Sequence, residues 1–173
     1  MTQRFDLSLL GHHYTLTLSA TLTGYWIVFL RLLVGWWFLH EGLNKYATPG
    51  TFTAGWFLEK TDTIVSPILN IFAGGLAETA INLMIPIAEV LIGVGIILGC
   101  LTRLASFFGT VMMGLFYFGN EAWRRGFVNG DLMGLVLFVT IIIFGAGRVW
   151  GIDAQLEETD FVQSHQWIRY LLG

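Results

Sequence analysis

Charge is what this sequence has least of. Only 12% of its 173 residues are Asp, Glu, Lys or Arg, whereas a typical soluble domain has about 25%. Hydrophobic residues make up 55% of the chain, and its mean hydropathy is +0.68. Because about half of the usual surface charge is missing, we infer that residues 1–173 form a single membrane domain with the lipid bilayer as its main partner. The net charge of -3 and the absence of a basic run exclude nucleic acid.

Cysteine and redox motifs are equally scarce. Cys100 is the single cysteine, so no internal disulfide can form, and neither a CxxC nor a CxxCH motif is present. His40 alone among the four histidines falls in a predicted span, which argues against a haem held by two histidines. We therefore expect no bound metal and no covalently bound cofactor. If the protein is redox-active, its electrons come from a partner or pass directly between a substrate and a quinone.

Four apolar stretches are close to the length of about 20 residues that a helix needs to cross a bilayer. The predicted spans are residues 25–43, 79–99, 101–119 and 132–147. This pattern predicts an all-α integral membrane protein, a four-transmembrane-helix bundle that passes through the cell membrane several times. An even number of spans places both termini on one side. We predict the cytoplasmic side, although the lysines and arginines are balanced between the two sides.

The segments outside the spans carry weaker signals. Residues 46–78 are apolar in their second half but interrupted by Pro67 and Gly74, which predicts a partly helical piece that lies on the bundle or re-enters it. The tail, 153–173, is amphipathic and predicts a surface helix at the level of the lipid headgroups. Near the amino terminus, "HYTLTLSA" predicts a short strand or an extended lead-in. The first 24 residues lack the continuous apolar run of a secretory signal peptide.

Ionisable residues and glycines recur together on one stripe of three predicted helices. At 100° per residue, such a stripe is what the interior of a membrane bundle requires, since small residues allow close approach and polar residues pair across helices. The stripes are Arg31, Gly35, Phe38, Gly42 and Lys45; Glu78, Asn82, Glu89 and Gly93; and Arg103, Thr110, Gly114, Tyr117 and Glu121.

The depth of the charges in these helices suggests one specific pair. Arg31 lies about 9 Å into its helix at ~1.5 Å per residue, and Glu89 lies near the middle of the next helix. Because the two helices run in opposite directions, we predict that Arg31 meets Glu89 inside the bundle. The pair either holds the helices in register or belongs to a proton or quinone site.

A second polar cluster is predicted at the opposite end, where the two longer loops emerge. Its members are His40, Glu41, Asn44, Lys45, Glu78, Asn120, Glu121, Arg124, Arg125, Asn129 and Asp131. Such a cluster is either an ordinary polar rim or a site for a small anion or a quinone headgroup. The candidate catalytic residues, as proton acceptors, are His40, Glu41 and Glu89. The candidate quinone-binding residues are Arg31, Lys45, Glu78, Tyr117, Glu121 and Arg124.

Three stretches together resemble one known family. "RLLVGWWFLHEGLNKY", "PIAEVLIGVGIILGCLTRLAS" and "GAGRVWGIDAQLE" are similar, in order and spacing, to motifs of the DoxX/DoxD-like membrane proteins. The long first loop and "GNEAWRRGFVNGDL" look closest to the DoxD branch. The resemblance covers roughly residues 25–157 and implies a four-helix membrane protein.

The same resemblance implies a respiratory function. DoxD is the small membrane subunit of thiosulfate:quinone oxidoreductase, which oxidises thiosulfate to tetrathionate, passes the electrons to quinone and has a second subunit, DoxA. The expected partners are therefore a quinone and a DoxA-like or larger respiratory complex. Two alternatives stay open: a non-catalytic accessory subunit that stabilises such a complex, and a pathway for protons or small solutes.

Overall fold

The computed structural model describes residues 2–47, 52–60, 62–121, 124 and 126–173. The chain is mostly helical, and its elements follow one another from an amino-terminal pair of strands to a series of helices. They are β1 (Thr2–Leu9), β2 (His12–Ser19), α1 (Ala20–Ala47), α2 (Gly55–Leu58), α3 (Ser66–Leu69), α4 (Gly75–Leu98), α5 (Thr102–Asn120), α6 (Gly130–Phe144), α7 (Ile152–Glu157) and α8 (Asp160–Ser164).

A β-hairpin precedes the first long helix. β1 and β2 pair antiparallel from Thr2 opposite Ser19 to Leu9 opposite His12. The two residues between the strands, Leu10 and Gly11, both have positive φ (51° and 79°), as a tight two-residue hairpin loop requires. The strand predicted for "HYTLTLSA" is confirmed, but the all-α class is wrong in detail because its partner β1 was not predicted.

The four long helices, α1, α4, α5 and α6, contain most of the predicted spans, but they begin and end at other residues. α1 begins five residues before the predicted start, because β2 leads into it with no loop between them. Gly99 follows the last residue of α4 and Gly145 that of α6; both glycines have positive φ (67° and 56°) and close the helices with left-handed caps. α6 begins after Asn129, whose side-chain oxygen accepts hydrogen bonds from the backbone N–H groups of Asp131 and Leu132.

Two of the described helices, α1 and α4, are long and apolar enough to cross a membrane, and α6 is a shorter apolar helix. Their outer faces carry large exposed apolar side chains, such as Phe29 on α1 and Leu83 on α4. A continuous apolar face of this kind is suited to contact with lipid. The expectation of a membrane protein in contact with the bilayer agrees with these two helices.

Helices α1 and α4 pack closely through glycines. A Cβ at Gly35 would lie 3.0 Å from the carbonyl oxygen of Gly93, and a Cβ at Gly42 would lie 2.9 Å from that of Pro86. Larger side chains would force the two backbones apart. These contacts define an antiparallel register in which Arg31 lies level with Gly99, the last turn of α4.

The buried faces match two of the three predicted stripes. On α1 the buried residues include Arg31, Gly35, Phe38 and Gly42, and on α4 they include Glu89 and Gly93. The third stripe was wrong except at Tyr117: the buried face of α5 consists of Thr102, Ser106, Gly109, Met113, Tyr117 and Gly119. The prediction assumed that the charged residues of α5 face inward. Instead, small residues of α5 face inward, because the ring of Phe138 on α6 fills the space at Gly109.

The connecting segments are shorter and more broken than the main helices. Between α1 and α4, α2, α3 and the 3-10 turn Asn70–Phe72 confirm a partly helical linker. The tail is not one surface helix: α7, α8 and the 3-10 turn Gln166–Tyr170 follow in succession, and Leu172 is buried. The tail returns to the core because the carbonyl of Leu171 accepts a hydrogen bond from the N–H of Leu104 on α5.

Candidate functional site

A cavity of about 360 Å³ lies where α1, α4 and α5 meet the start of α6 and the segment 52–57. Its volume falls at the lower end of the range of roughly 300–1,000 Å³ for small-molecule sites. The described lining residues are Trp37, Phe38, Glu41, Lys45, Phe52, Thr53, Ala54, Trp56, Phe57, Ile85, Glu89, Met113, Phe116, Asn120 and Asp131. An apolar wall with a few charged groups is the usual composition of a ligand-binding cavity.

The charged centre of the cavity is the ion pair between Lys45 and Glu89. The Nζ of Lys45 lies 2.7 Å from Oε2 and 2.9 Å from Oε1 of Glu89, so it donates to both carboxylate oxygens. The Glu89 side chain is only 5% exposed and that of Lys45 is 19% exposed. Because helical side chains lean towards the amino terminus of their helix, Lys45 at the end of α1 reaches back to Glu89 in the interior of α4.

Two further carboxylates line the same cavity. Glu41 lies one turn before Lys45 on α1, with its Oε2 3.9 Å from the Lys45 Nζ and about half of its side chain exposed. Asp131 enters from the first turn of α6. The charged groups among the described lining residues are therefore three carboxylates and one ammonium group.

Aromatic rings form much of the remaining wall. The ring of Phe38 packs edge-on against Phe138 with 4.7 Å between centroids, and Phe57 packs edge-on against Phe116 at 5.8 Å. The Nζ of Lys45 lies 5.4 Å from the centre of the Phe52 ring. Lys45 is therefore held between a carboxylate and an aromatic face.

The segment 52–57 is tied to α4 by polar contacts. The N–H of Ala54 donates to Oδ1 of Asn82 at 2.7 Å, and the hydroxyl of Thr53 donates to Oε1 of Glu78 at 3.2 Å. Oε2 of Glu78 also accepts from the N–H of Gly74 at 3.1 Å. Glu78, predicted to bind quinone, is thus outside the cavity wall and anchors the segment that forms part of that wall.

Several other candidate residues also lie outside the wall. His40 is exposed, with its Nδ1 3.1 Å from the side-chain nitrogen of Asn44. Tyr117 is buried and donates its hydroxyl to the carbonyl of Phe127 at 3.1 Å. Oε1 of Glu121 pairs with Nη2 of Arg124 at 2.9 Å. The cavity therefore brings together Glu41, Lys45 and Glu89, and leaves out His40, Tyr117, Glu121 and Arg124.

Arg31 lies near the middle of α1, beside the carboxyl end of α4, and its predicted pairing with Glu89 is wrong. Its guanidinium donates to the carbonyls of Ala146 and Val149, both at 2.9 Å, and of Trp150 at 3.1 Å. Fourteen residues separate Arg31 from Lys45, which is about 21 Å along a helix. The prediction assumed that α1 and α4 overlap along their whole lengths, whereas their glycine contacts place Arg31 beside Gly99, past the last residue of α4.

Asp153 closes the same end as Arg31. It is 0% exposed, and its carboxylate accepts hydrogen bonds from the N–H groups of Leu101 at 2.7 Å, Thr102 at 2.9 Å and Gly173 at 2.8 Å. Asp153 thereby caps the start of α5 and joins it to α7 and to the last residues. The hydrogen bonds of Asp153 therefore join residues that are 20 to 52 positions away from it in the sequence.

A surface ion pair lies nearby, outside the long helices. Nη2 of Arg148 is 2.6 Å from Oε1 of Glu157. The hydrogen bond from this guanidinium lowers the pKa of the Glu157 carboxyl below its ordinary value. The pair links the 3-10 turn Ala146–Arg148 to α7.

The aromatic residues of segment 52–57 are the parts of the site that sequence reasoning did not assign, whereas Asn120 and Asp131 were placed in the second polar cluster. Asp131 and Asn120 belong to the polar positions near the two longer loops, which is the signal that points to them. Phe52, Trp56 and Phe57 carry no such signal, since they precede or begin a helix of four residues. Among the residues that the structure describes, no group of three or more His, Cys, Asp or Glu side chains is arranged to hold a metal ion.

Two of the described helices are long and apolar enough to cross a membrane, and they expose large apolar side chains on their outer faces. The model of the DoxX family matches residues 26–119, which is more than half of the chain, and the chain therefore belongs to the DoxX family. This is a membrane family associated with oxidoreductase-related functions. The matched region includes Glu41, Lys45 and Glu89. Comparison with curated proteins and with solved structures returned no match.

Proposed function

We propose that the chain is the quinone-binding membrane subunit of a respiratory oxidoreductase, similar to the DoxD subunit of thiosulfate:quinone oxidoreductase. The observation that carries this proposal is the cavity of about 360 Å³ in which aromatic walls surround the buried Lys45–Glu89 pair. A quinone headgroup needs an apolar slot, a hydrogen-bond donor for its carbonyl and a route for protons. All three lie within this one cavity.

Each charged residue has a distinct role in this proposal. Lys45 donates a hydrogen bond to a quinone carbonyl, and Glu89 accepts one from the corresponding quinol hydroxyl. Reduction of one quinone takes two electrons and two protons, and oxidation of two thiosulfate ions to one tetrathionate releases two electrons. Glu41, within 3.9 Å of Lys45 and half exposed, connects this pair to water and carries the protons.

The proposed arrangement in the membrane has four spans. α5 has 19 residues and α6 has 15, which correspond to about 28 Å and 22 Å at 1.5 Å per residue. With four spans both termini lie on one side, which we propose to be cytoplasmic. The electron donor then reaches the quinone through a DoxA-like or larger partner.

The cavity favours this function over the two alternatives. An accessory subunit that only stabilises a complex is expected to have a well-packed interior at this position. A pathway for protons or solutes needs polar groups from the cavity to the Arg31 end. Between them lie the buried apolar residues Val34, Phe38, Ile92, Ile96, Met113, Phe138 and Ile141.

The test is thiosulfate-dependent reduction of a short-chain benzoquinone by protein purified gently with its associated subunits. We expect Glu89→Gln to lower kcat/KM by about 10²-fold or more, the usual range for loss of a proton-transferring group, and Glu41→Gln to lower it less. His40→Gln, which changes an exposed residue of the same helix outside the cavity, is the matched control. If no donor reduces quinone and a large respiratory complex copurifies in a fixed ratio, the accessory function replaces this proposal.

A further inference from the structure

We infer that this cavity binds an uncharged ring ligand and rejects small oxyanions, so that an anionic electron donor such as thiosulfate is bound elsewhere. The part of the inference that concerns the ring ligand depends on the proposed function. The part that concerns anions depends on the charges and hydrogen bonds of the cavity wall alone.

The first argument is charge. Lys45 is the single cation among the described lining residues, and both of its short contacts go to Glu89. The charges of Lys45 and Glu89 cancel. The carboxylates of Glu41 and Asp131 therefore give the described part of the wall a net negative charge. A dianion that approaches Lys45 would be repelled by both of these carboxylates and by Glu89, which lies within 2.9 Å of the Lys45 Nζ.

The second argument is the supply of hydrogen-bond donors. Proteins bind small oxyanions with free N–H groups at helix starts or with unpaired cations. At the start of α6, the N–H groups of Asp131 and Leu132 already donate to the Asn129 side chain, and Asp131 itself adds negative charge there. In segment 52–57, the N–H groups of Ala54 and Gly55 donate to Asn82 and Thr53.

The third argument is the shape of the remaining wall. The ring of Phe52 presents its π-face, which carries partial negative charge, to the Nζ of Lys45. Such faces stack on a planar uncharged ring and repel an anion. Trp37 and Trp56, both lining residues, also provide a signal, because their fluorescence would be quenched by a bound quinone.

The experiment follows tryptophan fluorescence while a short-chain benzoquinone is added, with Trp37→Phe to identify the contribution from the cavity. Millimolar thiosulfate is compared with chloride at equal ionic strength. We expect thiosulfate to change the apparent Kd for quinone by less than about twofold, since charge excludes it from the cavity. Clear competition between thiosulfate and quinone in the native protein would overturn the inference.

A gain of anion binding sharpens the test. Glu89→Gln leaves Lys45 without its carboxylate partner, so thiosulfate should now raise the apparent Kd for quinone by about tenfold. Adding Lys45→Gln to this variant should abolish the effect. If Glu89→Gln does not fold, the double variant Glu41→Gln with Asp131→Asn removes the negative excess and should allow weaker competition. Competition that fails to appear in any folded variant would contradict the charge argument.

Calorimetry with thiosulfate alone separates this inference from the proposed function. If quinone does not quench the tryptophan fluorescence of the native protein, the proposed function fails. The exclusion of anions is still supported in that case if thiosulfate gives binding heat with Glu89→Gln and none with the native protein. If quinone binds and thiosulfate also binds in the native cavity, the proposed function survives and the inference fails.

Discussion

The two ends of the α1–α4 pair use buried charge in different ways. At the Arg31 end, the guanidinium and the Asp153 carboxylate each have three backbone partners. At the cavity end, Lys45 and Glu89 are partners of each other and lie beside open space. Backbone groups cannot turn away to meet a ligand, whereas two side chains can. The first end therefore holds the fold together, and the second is available for chemistry.

This comparison also explains why a chain with so little charge places part of it in the interior. A buried charged group is tolerated only when its hydrogen-bonding capacity is satisfied. Asp153 meets that condition through the start of α5 and the last residue. Arg31 meets most of it through the loop after α6, where its two Nη atoms donate, while its buried Nε has no partner among the described residues. Lys45 and Glu89 satisfy each other by hydrogen bonds. A ligand that inserts between them must replace the hydrogen bonds that it breaks.

The largest effect is expected from Asp153→Asn. One of the two carboxylate oxygens becomes an NH₂ group that faces a backbone N–H, so at least one charge-assisted hydrogen bond is lost and two donors oppose each other. We expect the free energy of unfolding to fall by about 2–4 kcal/mol, since such bonds contribute about 1.5–3 kcal/mol each. Thermal unfolding in detergent measures it.

The control for this prediction is Asp160→Asn, which changes an exposed residue in the first turn of α8. Any Asp153→Asn protein that remains folded should bind quinone with unchanged Kd, because Asp153 is not at the cavity. Equal melting temperatures for Asp153→Asn and the native protein would contradict the claim that the buried charges at the Arg31 end stabilise the fold.

An intermediate effect is expected when the cavity pair is broken. Lys45→Met should lower the free energy of unfolding by about 1–3 kcal/mol, because it leaves the Glu89 carboxylate without its partner. The double variant Lys45→Met with Glu89→Met should recover most of this loss. Denaturation of the three variants in one detergent measures the coupling.

Arg31→Met provides the contrast to this recovery. Its partners are the carbonyls of Ala146, Val149 and Trp150, which no second side-chain substitution can remove. If the double Lys45/Glu89 variant is no more stable than either single variant, Lys45 and Glu89 do not satisfy each other in the way proposed for the cavity end.

The smallest effect concerns the surface pair Arg148–Glu157. Because the folded pKa of Glu157 is lowered, its stabilisation is present above the unfolded value of about 4.3 and is lost as the pH falls through the folded pKa. The Arg148 side chain is 44% exposed, so we expect less than about 1 kcal/mol. Melting temperatures between neutral pH and about pH 3 should show an acid-dependent loss that Glu157→Gln lacks.

The neighbouring substitution Glu158→Gln is the matched control, since Glu158 is exposed and differs from Glu157 by one position. It should keep the acid-dependent loss of the native protein. Parallel curves for the native protein and Glu157→Gln would show that another group causes the acid sensitivity.

Local pattern was sufficient to predict several features of this protein. Low charge and long apolar runs predicted a membrane protein, and the family motifs predicted DoxX, to which the chain belongs. The 3.6-residue period identified the buried faces of α1 and α4, including Arg31 and Glu89, because it depends only on positions within one helix. Pro67 and the glycines before α4 indicated that the linker would be broken.

The partners of those residues were decided by tertiary structure. The register of α1 against α4 depends on backbone contacts at Gly35, Gly42 and Gly93, and a shift of a few residues in this register moves a charge by several ångströms relative to the other helix. That register pairs Glu89 with Lys45 instead of Arg31. The aromatic wall and Asp131 join the cavity from segments far apart in sequence, which no local period can bring together.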